Sequence, residues 1–438
     1  MNTIYLPIEI KSREFVSRLL IALETAKIKP CEIFIGYKGD VNFYAKNFNP
    51  GIYYGLSSTE NLENLYLDIK RNGNLIAISD EESMLTFNDN FHLRYKVSKK
   101  IMKIADLIFS PGVKNMNSLK KIISDKKIFC VGNPRLDLLK KPINKIYQNE
   151  VNTIKKKYNN FILICTSFGR INFFSENYDA LKDLKKKKII KSNKDLKLWK
   201  EFLNYKSIIF NDFLELFEKI ENLKDLNFVI RSHPSENMSK YKKICQNKIN
   251  LFFDNSFSVH PWILASKGII NHYCTTTFEG LIANKEIYTI KKKKIPDLEN
   301  IDFYSDINCF RNYQEIIRYF VDKKQILRNK SKSKIKKYLK NLDVNLLSYK
   351  EIAKILAKNQ FKKQKNNLIF FYLKLLKNKI YNIKNFFFEK QTNLYVNHKI
   401  QNITEHEIYE IINYFQEYKN IFKVKKISKN FFKIKRIS

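Results

Sequence analysis

The chain has 438 residues and a mass of 52.3 kDa, above the size at which single cores stop growing, so two domains with an extension are expected. Hydrophobic residues make up 44% of the chain, with 34 Phe and 25 Tyr, which excludes a disordered polar chain. The 81 Lys and Arg against 43 Asp and Glu give a net charge of +38, which favours a polyanion or an anionic bilayer surface as a partner. The alternative is solvated surface lysine, because the richness in Lys, Asn and Ile is typical of an AT-rich genome.

Cysteine usage and the amino terminus indicate a cytoplasmic protein. The six cysteines are scattered without a C-x-x-C pair, which predicts reduced thiols and no zinc site. No second histidine of a zincin helix follows His406, and no D-x-D triplet occurs, so neither a catalytic metal nor a cofactor is expected. Charged residues from Glu9 onward interrupt any signal-peptide pattern. The longest apolar stretch, 368–388, contains four lysines, so it could lie on a bilayer but not span it.

The first third of the chain alternates short β-like runs with longer helical patterns. Strands are predicted at 3–8, 31–36, 75–79, 107–110 and 128–131, and helices at 13–26 and 97–105. Such alternation is typical of parallel βαβ units. The turn at 132–135 and a Lys-rich stretch over 139–158 then mark a boundary.

A second alternation follows this boundary. Strands are predicted at 161–165, 226–230, 249–253, 268–271 and 287–290, and helices at 178–199, 208–223, 262–266 and 277–283. The sequence therefore predicts an α/β protein with two Rossmann-like domains, residues 1–145 and 155–325, facing a cleft that holds the ligand.

The last quarter of the chain differs in composition. From about Arg328 Gly and Pro vanish, and residues 331–438 hold 25 Lys and Arg against 7 Asp and Glu. We expect a mainly helical basic extension at 326–438. It either packs on the core, which we favour, or anchors the protein to anionic head groups.

The motif Arg231-Ser232-His233-Pro234 follows the apolar run 226–230 directly. It places an imidazole at the carboxyl end of a predicted buried strand, where open α/β sheets bind ligands. His233 can donate to a phosphate oxygen or, when protonated, supply the proton that a departing phosphate needs. Arg231 lies on the same side of the strand and favours the same anion, and Pro234 is expected to fix the start of the next helix. A histidine that merely caps that helix is the alternative.

Two other motifs follow predicted strands. Thr275-Thr276-Thr277 comes after 268–271, and Thr276 with Glu279 fits a capping box, whose helix start and hydroxyls suit an anion. Thr166-Ser167-Phe168-Gly169 comes after 161–165, where small and hydroxyl residues let the backbone approach a nucleotide. A plain tight turn explains the second motif equally well.

The first half offers charged candidates at strand ends. Asp80, Glu81 and Glu82 follow the strand 75–79, and their mutual repulsion should raise at least one pKa toward that of a general base. The alternative is a solvated acidic turn. The charged candidates behind the first strand are Glu9, Arg13 and Glu14, which would face the cleft or form loop salt bridges.

Together these residues resemble the bacterial surface carbohydrate biosynthesis proteins, a GT-B glycosyltransferase-like family similar in style to Kdo- and sialyl-transferases and to CDP-glycerol glycerophosphotransferases. The resemblance covers roughly residues 3–300 and rests on Ile4 to Glu9 with Arg13 and Glu14, Asp80 to Glu82, Gly132 to Asp137, Thr166 to Gly169, Arg231 to Pro234, and Pro261 through Glu279.

The resemblance implies a role for each motif. In the GT-B sialyltransferases an acid-acid-Gly motif supplies the base, and a His-Pro and a Ser/Thr motif hold the CMP phosphate. Glu81 or Glu82 would then be the base, although Ser83 stands where the motif has Gly. His233 would be the phosphate ligand or acid, and Thr275 to Thr277 the hydroxyl clamp. Asn133 and Arg135 would belong with the acceptor side of the cleft.

The implied activity is inverting, metal-independent transfer from a CMP-sugar to a glycan or lipid-linked glycan in surface polysaccharide synthesis, with no cofactor. The expected location is cytoplasmic, with a possible place at the inner face of an anionic membrane. Two alternatives stay open: a CDP-glycerol-type glycerophosphotransferase, and a non-catalytic polyanion-binding protein. No zinc-finger, RRM or KH signature supports specific nucleic-acid binding.

Overall fold

A computed structural model describes residues 2–80, 82–85, 93–299, 301–322, 333–343, 345–359, 369, 371–377 and 402–437. Glu81 and most of the apolar stretch 368–388 lie outside these described residues. The chain divides into two compact units. Unit 1 comprises Met1–Ser83, Lys96–Leu138 and Asp343–Ser438, and unit 2 comprises Met84–Tyr95 and Leu139–Leu342.

The N-terminal part of unit 1 builds six parallel strands with helices between them. The elements are β1 (Asn2–Ile8), α1 (Lys11–Ile28), β2 (Cys31–Tyr37), α2 (Lys38–Asn47), β3 (Ile52–Gly55), α3 (Glu63–Arg71), β4 (Leu75–Ser79), α4 (Lys99–Ile104), β5 (Leu107–Ser110), α5 (Val113–Lys120), β6 (Ile128–Cys130) and α6 (Pro134–Asp137). The strands lie in the order β2-β1-β3-β4-β5-β6. Their apolar runs are buried because helices cover a parallel sheet on both faces.

Unit 2 contains a six-stranded sheet, again wholly parallel. Its elements are α7 (Gln148–Tyr158), β7 (Phe161–Cys165), α8 (Ala180–Lys186), α9 (Asn193–Lys219), β8 (Asn227–Arg231), α10 (Met238–Cys245), β9 (Leu251–Phe253), α11 (Val259–Ala265), β10 (Gly268–Asn271), α12 (Thr276–Ile282), β11 (Glu286–Ile290), β12 (Asn308–Phe310) and α13 (Tyr313–Val321). The strand order is β12-β11-β10-β7-β8-β9. Read from β9 and numbered within the unit, this is the 3-2-1-4-5-6 order of the Rossmann fold. With the parallel strands and intervening helices of unit 1, it confirms the predicted α/β class with two Rossmann-like units.

The helix α9 is longer than predicted and replaces parts of two predicted helices. Ser192 begins it as an N-cap whose hydroxyl accepts the Asp195 N–H, at 3.2 Å. Its buried residues recur every three to four positions, as a helix that packs one face on a core requires. The apolar residues of the buried face are Trp199, Phe202, Tyr205, Ile209, Phe210, Phe213, Leu216 and Phe217.

The C-terminal residues of unit 1 return to the first sheet. Here the described elements are α14 (Ser348–Lys358), α15 (Glu405–Tyr414), β13 (Phe422–Ser428) and β14 (Phe431–Arg436). β14 pairs antiparallel with β2, and β13 pairs with β14 at the sheet edge. The expectation of a mainly helical extension missed these two strands. In β13, Phe422 and Val424 are buried between exposed lysines. These described strands are part of the first sheet, whereas a tail packed as helices on the core was expected.

None of the six cysteines, all of which the structure describes, forms a disulfide. Cys31 and Cys165 are buried in β2 and β7. Burial raises the pKa of the Cys31 thiol to about 12, so it is an inert core residue.

Candidate functional site

Three of the predicted motifs meet at one edge of the unit 2 sheet. The chain runs from β7 through β8 to β9 on one side and from β10 through β11 to β12 on the other, so its direction of travel reverses between β7 and β10. Open α/β sheets bind ligands outside the carboxyl ends of the strands at such a reversal. Thr166 to Gly169 follow β7, Thr275 to Thr277 follow β10, and His233 follows the neighbouring strand β8.

His233 lies exposed in a tight turn behind β8. Its Nδ1 lies 3.2 Å from the backbone nitrogen of Ser235, which donates to it, and 2.8 Å from the Ser235 hydroxyl. Because Nδ1 accepts the N–H, the proton of the neutral imidazole resides on Nε2. The turn therefore presents a hydrogen-bond donor. Of the two predicted roles, this geometry favours the phosphate ligand over the acid, since protonating Nδ1 would break the Ser235 N–H bond.

The guanidinium of Arg231 is already engaged with the protein. Nη1 donates to the Ser256 carbonyl at 3.0 Å, and Nη2 donates to the Phe257 carbonyl at 2.8 Å. Asn255 holds the same strand end, with Oδ1 accepting the Ser232 N–H at 2.9 Å. The role of Arg231 as an anion ligand stays a prediction, but these two bonds also give Arg231 a structural role. It fixes the loop after β9 against the start of the His233 turn.

Pro234 does not start a helix. It lies in the turn, and α10 begins only at Met238, with the Asn237 side chain accepting the Ser239 N–H as the cap. Asn237 thus performs the capping that the sequence analysis considered for His233.

Glu236 is a functional candidate that sequence reasoning missed. Its buried carboxylate accepts the Thr166 hydroxyl and the Phe168 N–H, each at 2.9 Å, and the Tyr241 hydroxyl. Burial raises its pKa, and the three hydrogen bonds oppose that rise. Glu236 therefore ties the β7 loop to the His233 turn. An acid three residues after a strand-end histidine was the signal available in the sequence.

The β7 loop approaches the His233 turn closely at Gly169. A Cβ on Gly169 would stand 2.1 Å from the Ser235 hydroxyl oxygen, so only glycine fits without moving Ser235. On the other side, the Ser167 hydroxyl donates to the His272 carbonyl at 2.6 Å, across the point of reversal. Ser167 retains lone pairs that can accept from a ligand, whereas the Thr166 hydroxyl donates to Glu236.

The threonine motif after β10 is mainly structural. Thr275, not Thr276, is the N-cap of α12, and its side chain makes no capping hydrogen bond. The buried hydroxyls of Thr276 and Thr277 accept from the Asn271 amide at 2.9 and 3.1 Å. The predicted capping box between Thr276 and Glu279 is thus wrong, because Thr276 is already helical and Glu279 is buried behind it. Only the partly exposed Thr275 keeps its place as a ligand candidate.

A buried charge network lies behind the same strand end. The His272 ring contacts the Ile290 carbonyl through Nδ1, at 2.7 Å, and the Glu299 carboxylate through Nε2, at 2.9 Å. The Lys206 ammonium of α9 lies 2.7 Å from the other Glu299 oxygen, and all three side chains are almost fully buried. Burial alone would raise the pKa of Glu299, but His272 and Lys206 hold it at about 2. Burial also lowers the pKa of His272, and Glu299 opposes that loss.

In unit 1 the acidic cluster lies at the carboxyl end of β4. Burial, and then the charge of Glu82, raise the pKa of Asp80 to about 6. Partial burial acts to raise the pKa of Glu82 as well, but Arg13 and Lys96 hold it below its ordinary value. Arg13 Nη1 lies 2.9 Å from Glu82, whose side chain is 63% exposed. The predicted rise of one carboxyl pKa is confirmed for Asp80, whereas Glu82 is an ion-pair partner.

The charges behind β1 are anchors within unit 1. Glu14 is fully buried and accepts the Glu9 and Ile10 N–H groups at 2.7 and 3.2 Å, and Arg13 at 2.9 Å. The expectation that Glu14 faces a cleft is therefore corrected: it caps the start of α1. Glu9 pairs with Lys38 at 3.2 Å, the loop salt bridge that was the alternative.

Asn133 and Arg135 lie behind β6, at the same edge of the sheet as Asp80. Asn133 accepts the Arg135 N–H at 3.0 Å and so caps α6. The Arg135 side chain is buried, and its charge helps to lower the pKa of Glu82. Gly132 precedes this turn and has a φ of +89°, a backbone conformation that a residue with a side chain would adopt only with strain.

Within the described ranges, no group of three or more His, Cys, Asp or Glu side chains is placed to hold a metal ion. Of the helices in the part of the chain that the structure describes, none combines the length and the apolar character needed to cross a membrane.

No protein-family model and no curated protein sequence matches this chain. Solved structures of similar fold include the UDP-GlcNAc 2-epimerase of Methanocaldococcus jannaschii in complex with UDP-GlcNAc and UDP, with 15% identity over 78% of this chain and 81% of that one, and a TM-score of 0.46. The wall teichoic acid polymerase TagF has 14% identity, covers 82% and 88%, and scores 0.45. S. aureus MnaA with UDP has 12% identity, covers 81% and 83%, and scores 0.43. At these scores the likeness carries no argument about the activity of this chain.

Proposed function

We propose that this protein is a GT-B-type transferase of cell-surface glycan synthesis that binds a nucleotide-activated donor through unit 2, with a CMP-sugar as the favoured donor. One observation carries the proposal. The His233 turn, the Ser167 loop and Thr275 stand at the carboxyl edge of a Rossmann-type sheet, beside its point of reversal.

The proposal assigns the donor phosphate to the His233 turn. The Nε2–H group donates to a phosphate oxygen. The hydroxyls of Ser167 and Thr275 follow β7 and β10, the next two strands of the sheet after β8. As the bond between the anomeric carbon and the phosphate oxygen breaks, its electron pair leaves with the phosphate. A fixed donor stabilises that charge more in the transition state than in the ground state.

The proposal assigns the acceptor to unit 1. A carboxylate removes the proton of the acceptor hydroxyl as its oxygen attacks the anomeric carbon, with inversion. Of the two described acids of the cluster, Asp80 suits this task better because its pKa is about 6, whereas Glu82 is held by Arg13. The proposed acceptor is a glycan or a lipid-linked glycan at an anionic membrane. The exposed Lys423 and Lys425 of β13 offer positive charge to such a membrane.

A thermal-shift screen tests the donor class. We expect CMP to raise the melting temperature of the wild-type protein more than CDP, UDP or GDP, because CMP is the nucleotide of the favoured donor. A ligand at 100 times its Kd stabilises the folded protein by about 2.7 kcal/mol. The shift should persist in EDTA, since the proposed charge compensation comes from the protein. A shift with CDP-glycerol alone would support the glycerophosphotransferase alternative, and no shift with any nucleotide would contradict the proposal.

The pH dependence of turnover tests the base. An ionised Asp80 is needed to accept a proton, so kcat/KM should rise about tenfold per pH unit up to about pH 6 and level off above it. Nucleotide release from the donor, measured between pH 4.5 and 8, provides the profile. Asp80→Asn should abolish this limb, whereas Glu82→Gln should retain it. A wild-type profile that stays flat down to pH 5 would exclude Asp80 as the base.

A further inference from the structure

A small aromatic cluster stands beside the His233 turn and has no part in the function proposed above. Its members are Phe173, Phe174 and Tyr178, in the segment between β7 and α8. The ring of Phe173 lies 4.3 Å from that of Phe174 and 4.0 Å from that of Tyr178, measured between centroids. Phe173 and Tyr178 are partly buried, but Phe174 is 51% exposed. A phenyl ring of this exposure offers a flat apolar surface to a ligand.

Backbone hydrogen bonds fix this cluster relative to His233. The Phe174 N–H donates to the Ser235 carbonyl at 3.0 Å, and the Asn237 N–H donates to the Asn172 carbonyl at 2.9 Å. Phe173 and Glu236 form an antiparallel bridge between these two contacts. Ser235 is also the residue whose N–H orients the His233 ring. The Phe174 backbone therefore contacts Ser235, which in turn contacts His233, the proposed phosphate ligand.

We infer that Phe174 is the platform on which the base of the bound nucleotide stacks. The inference rests on the proposed function, because a phosphate held at His233 brings its nucleoside to the neighbouring surface. Every nucleobase has a flat π face, and stacking on an aromatic side chain is a common way to bind one. The partly buried ring of Phe173 contacts Phe174 and is itself stacked on Tyr178, so little side-chain freedom is lost on binding.

A second exposed ring, that of Phe257, serves as a comparison for the proposed stacking position at Phe174. Phe257, which is 44% exposed, follows β9 and is attached to the β8 end through its carbonyl and Arg231. The reversal point lies between β10 and β7, so β9 is two strands further from it than β7. At about 4.8 Å per strand, that is roughly 10 Å. The segment that carries Phe174 follows β7 itself, which favours Phe174 over Phe257.

Calorimetric titration with CMP and with ribose 5-phosphate separates the base from the phosphate. Phe174→Ala should weaken CMP binding about tenfold and leave ribose 5-phosphate binding unchanged. Phe174→Tyr should retain the wild-type affinity for CMP, and Phe257→Ala should leave both affinities unchanged. His233→Ala should weaken both ligands, because it removes a phosphate contact.

Each other outcome has a distinct meaning. Unchanged CMP affinity in Phe174→Ala, or a loss in Phe257→Ala instead, would overturn the stacking role and leave the proposed function standing. Equal losses for CMP and ribose 5-phosphate in Phe174→Ala would show that the ring only shapes the His233 turn, which also overturns it. A wild-type protein that binds neither ligand would refute the proposed function itself, and the inference with it.

Discussion

Replacing His233 with alanine is expected to lower turnover about 100- to 1,000-fold, the cost of removing one donor that stabilises a developing oxyanion. The side chain is exposed, so the fold should persist. Nucleotide release from the donor measures the first effect, and the melting temperature without ligand measures the second.

A matched control for this variant exists in unit 1. His406, whose side chain is 82% exposed on α15, pairs only with the neighbouring Glu410 among the contacts of the described residues. His406→Ala should retain wild-type turnover. Wild-type turnover in His233→Ala would contradict the phosphate role, and a loss that is equal in both variants would point to a general effect of removing a histidine.

Replacing Glu299 with glutamine should cost unit 2 about 3–5 kcal/mol of unfolding free energy. Glutamine keeps the shape of the side chain, but Lys206, which is 6% exposed, then loses its buried counter-charge. The two tryptophans, Trp199 and Trp262, are both buried in unit 2, so their fluorescence during urea unfolding reports on this unit.

Glu221→Gln is the matched control for the Glu299 variant, in the same unit. The Glu221 side chain is 45% exposed and lies 3.5 Å from Lys248, so its removal should change the free energy of unfolding by less than about 1 kcal/mol. If Glu299→Gln were no more costly than this control, the buried network would not be an important source of stability.

The sequence predicted the framework of the fold better than its edges. The strands β7, β8 and β10 were predicted within one residue because each is an apolar run bounded by polar turns. β3 was missed because its sequence Ile52-Tyr53-Tyr54-Gly55 contains a single aliphatic residue, unlike the aliphatic runs of β5 and β10. β13 was assigned to a helical region although its Phe-Lys-Val-Lys alternation has the period of a strand. The excess of lysine outweighed that pattern. β13 is a strand through its pairing with β14, which in turn pairs with β2, some 400 residues earlier.

The sequence predicted that the candidate motifs follow strands of one sheet, but it did not predict their contacts. The carboxyl ends of parallel strands share one edge, so motifs behind predicted strands were expected to meet there. The partners of Arg231 are the carbonyls of Ser256 and Phe257, in a loop without a recognisable motif. Likewise, the Asn271 amide donates hydrogen bonds to the hydroxyls of Thr276 and Thr277. Such choices depend on loop conformations that no local pattern encodes.

The pairing of β14 with β2 has a consequence for synthesis on the ribosome. Residues 31–37 emerge early, yet the strand that covers their outer edge is made only when residues 431–436 are translated. Until then β2 has an open row of backbone donors and acceptors, a template for aggregation with other chains. Unit 2, whose residues are contiguous apart from Met84–Tyr95, can finish folding first. The part of the protein that is begun first is therefore completed last.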